Sequence, residues 1–134
     1  MNKKTLVLIK PTAVENNQIG QIINRFENAG FIINKLLKKQ FIRLKFEDLY
    51  QEHKGKDFYE KIVDWMSSKP IVAMVLEGDD NIVSDVRNLV GATNPAEARP
   101  GTLRGDIGVS LEPDNIIHAS DSDKSASREI KIFF

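Results

Sequence analysis

The residue types best suited to chemistry are concentrated between Arg87 and His118. This stretch holds three of the chain's six arginines and one of its two histidines, and Glu97 is the only acidic residue between Arg87 and Arg104. Guanidinium groups present planar sets of N–H donors that match phosphate oxygens. An imidazole can act as a nucleophile and hold a transferred group covalently. The combination suggests a site at which a histidine takes a phosphoryl group from a polyphosphate.

His118 is the candidate nucleophile. It follows two isoleucines and precedes a turn of small and polar residues. A lone histidine beside apolar residues is more often structural than catalytic, and the residues around His118 leave that interpretation open. At neutral pH an ordinary imidazole is largely uncharged and keeps a lone pair for attack. His118 therefore meets the chemical requirement for a phosphoryl carrier.

The other polar candidates each have a structural interpretation as well. Glu129 borders the apolar stripe of the last helix and could be a surface residue paired with a basic neighbour. Ser120 could cap that helix, and Arg104 could simply pair with Asp106. Phe58 begins an apolar stripe and, on periodicity alone, is predicted to lie in the core. Arg87 and Lys10 could also be ordinary surface cations with a structural role only.

The elements that must position these residues follow from hydrophobic periodicity and from Gly and Pro stops. Short apolar runs predict strands, of which the second is exposed on one side and the third is buried. Three- and four-residue apolar spacing predicts helices, the last of them capped by Asp121 or Ser122. The predicted strands are residues 5–9, 31–41, 71–76 and 116–118, and the predicted helices are residues 19–29, 45–53, 58–66, 82–90 and a segment after residue 122.

This order predicts an α+β fold, specifically a ferredoxin-like split βαβ sandwich with a four-stranded antiparallel sheet and helices packed on it. The paired helices at residues 45–66 are a hairpin insertion, and residues 92–114 form a long loop. A loop of this length in a small domain is usually functional or disordered, and its arginines favour a phosphate-binding function. Residues 1–134 are expected to form one domain.

Composition excludes several classes of function. Acidic and basic residues number 19 each, so the net charge predicts no general binding of nucleic acid. There is no cysteine, which excludes disulfides and thiolate metal sites. No apolar run approaches the length of a membrane span or a signal sequence. A cytoplasmic protein is expected.

Four motifs resemble those of one enzyme family. The segment NIIHASDS at residues 115–122 resembles the phosphohistidine motif of nucleoside diphosphate kinases, and ATNPAEARPGTLRGD at residues 92–106 resembles the loop before it. TLVLIKP at residues 5–11 is similar to the family's opening strand, and YQEHK at residues 50–54 to its helical hairpin. The motifs occur in the family's order from about residue 5 to residue 134, which makes the resemblance far more specific than any single motif.

The resemblance implies a reaction. The γ-phosphoryl group of a nucleoside triphosphate, usually ATP, would pass to His118 and then to a nucleoside diphosphate in a ping-pong mechanism that maintains NTP and dNTP pools. The family implies Nδ1 as the phosphorylated nitrogen and a homo-oligomer, either hexamer or tetramer. Mg²⁺ would be the cofactor, held mainly by the nucleotide phosphates rather than by a metal site of the protein.

The resemblance also implies individual roles. Glu129 would orient the imidazole, and Ser120 and Tyr50 would lie beside the phosphohistidine. Phe58 would stack on the nucleobase, which explains acceptance of different bases because every base has a π-face. The residues implied to bind the phosphates and the sugar are Arg87, Arg104, Thr93, His53, Lys10 and Asn115.

The chain departs from the family pattern at a few positions. Thr12 and Ala13 replace the usual Asp-Gly after Lys-Pro, and Ala119 replaces the usual glycine after the histidine. The usual Pro-Phe-Phe reads Asp57-Phe58-Tyr59, so the rim of the base site is expected to differ.

Two other classes of function remain open at this point. One is a regulatory protein that binds nucleotide or nucleic acid on the same scaffold with little catalysis, because fold alone does not specify function. The other is a phosphocarrier that receives its phosphoryl group from a protein, for which a base platform at Phe58 would have no purpose.

Overall fold

The computed structural model describes residues 2–92, 94, 97–107 and 116–134. Its sheet has four strands in the order β2-β3-β1-β4, and every neighbouring pair is antiparallel. The strands are β1 (Lys3–Ile9), β2 (Ile32–Lys39), β3 (Ile71–Gly78) and β4 (Ile117–Ala119). The helices in the described residues are α1 (Pro11–Glu15), α2 (Ile19–Asn28), α3 (Arg43–Leu49), a 3₁₀ turn (Gln51–His53), α4 (Asp57–Ser67), α5 (Ile82–Val90), α6 (Leu103–Ile107) and α7 (Asp123–Phe133).

The predicted ferredoxin-like α+β fold is confirmed. β1 lies between β3 and β4, so the two βαβ units are each split by an intervening antiparallel strand. Leu6 to Ile9 of β1 are fully buried, as expected for an apolar run covered on both faces. In the register of β1 with β4, Leu8 faces His118 and Ile9 faces Ile117. The candidate nucleophile therefore lies on a strand that is paired with the buried strand β1.

Each face of the sheet has its own apolar core. On one face the buried residues include Ile22 and Phe26 of α2 and Val86 of α5. On the other face they come from the helical hairpin and α7, and include Phe46, Ile62 and Phe133. Both sets are closed against apolar side chains that alternate along β1 and β3, the pattern of a sheet packed on both sides.

Several predicted boundaries and faces were wrong. The α4 helix buries Tyr59, Ile62, Val63 and Met66, whereas Phe58 is 37% exposed. The predicted core stripe was therefore one residue out of phase at the start of the helix. Strand β2, one of the two edge strands of the sheet, is exposed along nearly its whole length and not on one side alone.

Two helices were not predicted. Pro11 opens α1 at the first helical position, where its missing N–H costs no hydrogen bond. The α6 helix lies inside the segment predicted as an aperiodic loop. A five-residue helix has too few residues to show an apolar period, so periodicity could not reveal either one. Within the described residues, no helix has the length and apolarity needed to cross a bilayer.

Candidate active site

A cavity of about 170 Å³ opens at His118. Its wall brings together residues from α5, α6, β4, α7 and the turn that follows α3. It is lined by Leu49, Tyr50, Glu52, His53, Arg87, Arg104, Ile117, His118, Ala119, Asp121 and Glu129. Most of the side chains predicted from the sequence to carry chemistry thus face one concave space, the usual form of a small-molecule site.

The His118 imidazole is held by a buried carboxylate. Its Nε2 lies 2.9 Å from Oε1 of Glu129, and the two side chains are 19% and 7% exposed. An ionised carboxylate only accepts hydrogen bonds, so Nε2 donates the proton. In that tautomer Nδ1 keeps its lone pair. The arrangement leaves Nδ1 as the ring nitrogen that carries the lone pair.

Glu129 has a second donor in Ser120. The Ser120 hydroxyl donates to the same Oε1 at 2.7 Å, and Ser120 N–H donates to the Leu6 carbonyl at 3.1 Å. A buried carboxylate is costly unless it is hydrogen-bonded. Nε2–H of His118 and the hydroxyl of Ser120 meet that requirement for Glu129. The surface interpretation of Glu129 and the capping interpretation of Ser120 are therefore wrong. The cap of α7 is Ser122, whose Oγ accepts Ser125 N–H at 3.0 Å.

The two arginines of the cavity are braced by backbone carbonyls. Arg87 on α5 donates from Nη1 to the Ala119 carbonyl at 3.0 Å. Arg104 on α6 is 7% exposed and donates to the carbonyls of Gly91 at 2.9 Å and Ile117 at 2.8 Å. These contacts hold the planar guanidinium groups of both arginines at the cavity wall.

The suggested pairing of Arg104 with Asp106 is wrong. Asp106 accepts instead from Arg25 of α2, at 3.1 Å, and from Gly101 N–H, at 2.9 Å. The Gly101 N–H and then the Arg25 guanidinium lower the pKa of the Asp106 carboxyl below its ordinary value.

Lys10 lies immediately after β1 and is 1% exposed, so the surface interpretation of this residue is wrong. Its N–H donates to the Ile116 carbonyl at 2.9 Å, which places it beside the start of β4. Lys10 is not among the residues that line the cavity. Its role at the sugar and phosphate remains a prediction.

The helical hairpin supplies the opposite wall. Tyr50 follows α3, is buried, and meets the His118 ring edge-on at 6.2 Å between ring centroids. His53 lies in the 3₁₀ turn, and its ring is 5.2 Å from that of Phe58. Tyr50 and His53 were predicted one turn apart on a single helix. The α-helix instead ends at Leu49, before both residues, and both side chains still line the cavity.

Comparison with known proteins decides the family. A sequence profile described as "Nucleoside diphosphate kinase" matches residues 3–134. The chain belongs to the nucleoside diphosphate kinase family. It is 52% identical over 134 residues to the nucleoside diphosphate kinase of Methanocaldococcus jannaschii, covering all of this chain and 94% of that one. It is 49% identical over 132 residues to that of Sulfurisphaera tokodaii, covering 98% and 88%.

Solved structures of the nucleoside diphosphate kinase family have the same fold. The Aquifex aeolicus nucleoside diphosphate kinase superposes with a TM-score of 0.93 at 39% identity, covering all of this chain and 96% of that one. The nucleoside diphosphate kinase of Encephalitozoon cuniculi also gives 0.93, at 37% identity over 98% of this chain and 88% of its own. The similarity therefore extends over the sheet, the hairpin and α7 alike.

Two predicted site residues of this nucleoside diphosphate kinase family member, Thr93 and Asn115, lie outside the described residues. Two carboxylates of the cavity wall, Glu52 and Asp121, were not predicted as site residues. The signal that could have found them is adjacency, because Asp121 follows His118 by three positions and Glu52 precedes His53.

Within the described part of the chain, no group of three or more His, Cys, Asp or Glu side chains could hold a metal ion.

Proposed function

We propose that the γ-phosphoryl group of a nucleoside triphosphate, usually ATP, passes to Nδ1 of His118 and from there to the terminal oxygen of a nucleoside diphosphate. The family's reaction is phosphoryl transfer between nucleotides. The observation that carries the proposal is the chain of hydrogen bonds from Ser120 through Glu129 to Nε2 of His118. It selects the tautomer with an unprotonated Nδ1, at the wall of a cavity with two arginines.

The first half-reaction exchanges one bond for another. The Nδ1 lone pair attacks the γ-phosphorus, the P–N bond forms, and the bond to the β–γ bridging oxygen breaks. The nucleoside diphosphate leaves with that electron pair. The ring gains positive character while the phosphoryl group is attached, and the buried Glu129 carboxylate stabilises it through Nε2–H. The second nucleotide reverses these steps at the same site, which makes the kinetics ping-pong.

Charge on the transferring group is neutralised by the cavity wall. Arg87 and Arg104 would bind the terminal phosphates, because both line the cavity next to His118. Thr93 and His53 would add further phosphate contacts, and Lys10 and Asn115 would serve the sugar side. Tyr50 would limit movement of the His118 ring by its edge-on contact.

Mg²⁺ fits this site as a cation carried by the nucleotide. The described residues include no ligand cluster for a metal, and Mg²⁺ characteristically binds substrate phosphates and keeps several waters. Asp121 on the cavity wall offers a carboxylate that can accept hydrogen bonds from such waters. The ion would neutralise charge on the phosphate oxygens.

Phe58 would stack on the nucleobase at the rim. Its ring is 37% exposed, although it begins a helix whose neighbouring apolar residues are buried. His53 supports it from the cavity side. Stacking tolerates any base, so broad nucleotide acceptance follows.

We also propose that the chain works as a cytoplasmic homo-oligomer, a hexamer or tetramer. The edge strand β2 exposes Ile32, Leu36 and Leu37, with relative exposures of 56%, 52% and 38%. An apolar, unpaired strand edge favours association with another chain, and a second copy of this chain is the simplest partner.

Intact mass spectrometry tests the proposal. Brief incubation with Mg-ATP should add the mass of one phosphoryl group, and GDP should remove it. The modification should be labile in acid and stable in alkali, as expected of phosphohistidine. The His118→Ala variant should keep its unmodified mass. Turnover from ATP to GDP by a protein that never acquires this mass would contradict the mechanism.

A further inference from the structure

Arg104 is carried by an element that cannot hold its own position. The α6 helix spans only Leu103–Ile107, far below the ~12–15 residues at which an isolated helix becomes marginally stable. Its orientation must therefore come from contacts with the rest of the fold. Leu103 provides one, since it is fully buried in the core beside α5. Ile107 packs against the same core at the other end of the helix, but apolar contacts are non-directional and do not by themselves set the helix rotation.

The turn before α6 is closed by Thr102. The Thr102 hydroxyl donates to the Arg99 carbonyl at 2.6 Å and accepts Gly105 N–H at 3.0 Å. A Cβ on Gly105 would lie 2.1 Å from the Arg99 carbonyl oxygen, so only glycine fits this position. The turn is compact, and these contacts alone do not attach it to the rest of the fold.

Arg25 of α2 provides that attachment. Its Nη1 donates to one Asp106 oxygen at 3.1 Å, and its Nη2 donates to the Gly101 carbonyl. The other Asp106 oxygen accepts Gly101 N–H at 2.9 Å. These three hydrogen bonds form a closed ring of Arg25, Asp106 and Gly101, which we call the α2–α6 strap. Because Ile22 and Phe26 of α2 are fully buried, the strap ties the turn to a rigid helix.

We propose that Arg25 and Asp106 are positioning residues that hold α6 so that the Arg104 guanidinium faces the terminal phosphates of the bound nucleotide. Neither Arg25 nor Asp106 lines the cavity, so both act through Arg104. The inference rests on the proposed function, because it assigns Arg104 to the phosphates next to His118.

Binding of ADP and AMP to the full-length protein separates positioning from general stability. Arg104 lies next to the histidine that receives the γ-phosphoryl group, so it faces phosphates that AMP lacks. Arg25→Ala should weaken ADP binding by about 10- to 100-fold, the loss expected when a hydrogen bond to a charged group is no longer correctly placed. AMP affinity and the urea midpoint should change much less. Arg25→Lys, which retains the charge, should restore part of the ADP affinity.

Asp106→Asn is the second variant, because it keeps an acceptor for Gly101 N–H and removes the charge that holds Arg25. It should weaken ADP binding without a matching loss for AMP. Lys69→Ala is the control, because it breaks an exposed ion pair with Glu15 at a distance of 2.5 Å elsewhere on the surface. It should leave both affinities unchanged.

Two results would overturn the inference. One is an equal loss of ADP and AMP affinity in Arg25→Ala and Asp106→Asn, and the other is no loss of ADP affinity in either variant. Phosphorylation of His118 in the unsubstituted protein, measured in the same preparation, keeps this failure distinct from a failure of the proposed function. If His118 is phosphorylated and the strap variants bind ADP normally, the positioning role alone is wrong.

Discussion

The chain's two histidines form two histidine–glutamate pairs on facing walls of one cavity, and the pairs differ in almost every physical respect. His118 and Glu129 are 2.9 Å apart, with side chains 19% and 7% exposed. His53 and Glu52 are 3.7 Å apart, with side chains 32% and 72% exposed. The first pair joins β4 to α7 across eleven residues of sequence, whereas the second joins neighbours within one turn.

Burial explains why the two pairs have different capacities. A carboxylate in a low-dielectric environment interacts strongly with charge that develops on its partner, whereas water and salt screen an exposed pair. Glu129 also receives the Ser120 hydroxyl, so it is fixed by two donors. His53 is approached instead by Lys56, whose Nζ lies 3.3 Å from Nδ1. The same two residue types therefore form a buried, hydrogen-bonded pair on one wall and a more exposed pair on the other.

The largest expected effect comes from substituting the two histidines in parallel. His118→Ala should lower kcat for ATP-to-GDP transfer by about 10⁴-fold or more, the scale seen when an enzyme loses its nucleophile. His53→Ala should cost no more than about fivefold, because exposed polar contacts contribute about 1 kcal/mol or less. Steady-state turnover measures both. Comparable losses of kcat in the two variants would contradict the difference in function that we expect between the two histidine–glutamate pairs.

The glutamates should show the same contrast at a smaller scale. Glu129→Gln keeps an acceptor for Nε2–H and removes the charge, so kcat should fall by about 10- to 100-fold, corresponding to ~1.5–3 kcal/mol for a hydrogen bond to a charged group. Nucleotide affinity should change little. Glu52→Gln is the matched control, with an expected change within about fivefold. Stopped-flow measurement of the phosphorylation step compares them. An unaffected Glu129→Gln enzyme would show that the buried charge has no catalytic role.

The rim itself should contribute mainly to binding. Phe58→Ala should raise KM about tenfold for adenine, guanine and pyrimidine nucleotides alike, since stacking contributes ~1–3 kcal/mol per base. The free energy of unfolding should be nearly unchanged because the ring is partly exposed. Its neighbour Tyr59 is 6% exposed, and Tyr59→Ala should lower stability by about 3 kcal/mol or more. Urea unfolding and KM for four nucleotides test both variants. A destabilised Phe58→Ala protein would favour the core interpretation given by periodicity.

Much of the scaffold could be predicted from local pattern. The apolar run at β1 and the run that precedes Gly78 in β3 were correctly predicted as strands, because burial on both faces removes polar residues from a strand. The amphipathic helices α2 and α5 follow from their three- and four-residue spacing. The hairpin was less predictable, since the helix breaks after Leu49 and the core stripe of α4 begins at Tyr59 instead of Phe58.

The site illustrates the limit of local pattern more sharply. His118 and the two arginines stood out as a group of types suited to phosphate chemistry, and the order of the motifs identified the family. Local pattern favoured a surface position for Glu129 and left open a pair of Arg104 with Asp106, and both interpretations were wrong. Each error concerned which residues of other elements lie next to the side chain. The periodicity of a single element does not contain that information.

Residue order was thus sufficient for most of the elements, for the family and for a candidate nucleophile, because periodicity, turn residues and motif order are properties of consecutive positions. Folding was needed to bury Glu129 against His118 and Ser120, to direct Arg87 and Arg104 into the same cavity, and to pair Asp106 with Arg25. The hydrogen bonds among them join residues 9 to 81 positions apart. Arg87 and Arg104 are brought together only because both line the cavity. Their strength depends on distance and exclusion of water, which exist only once the sheet and its helices have packed.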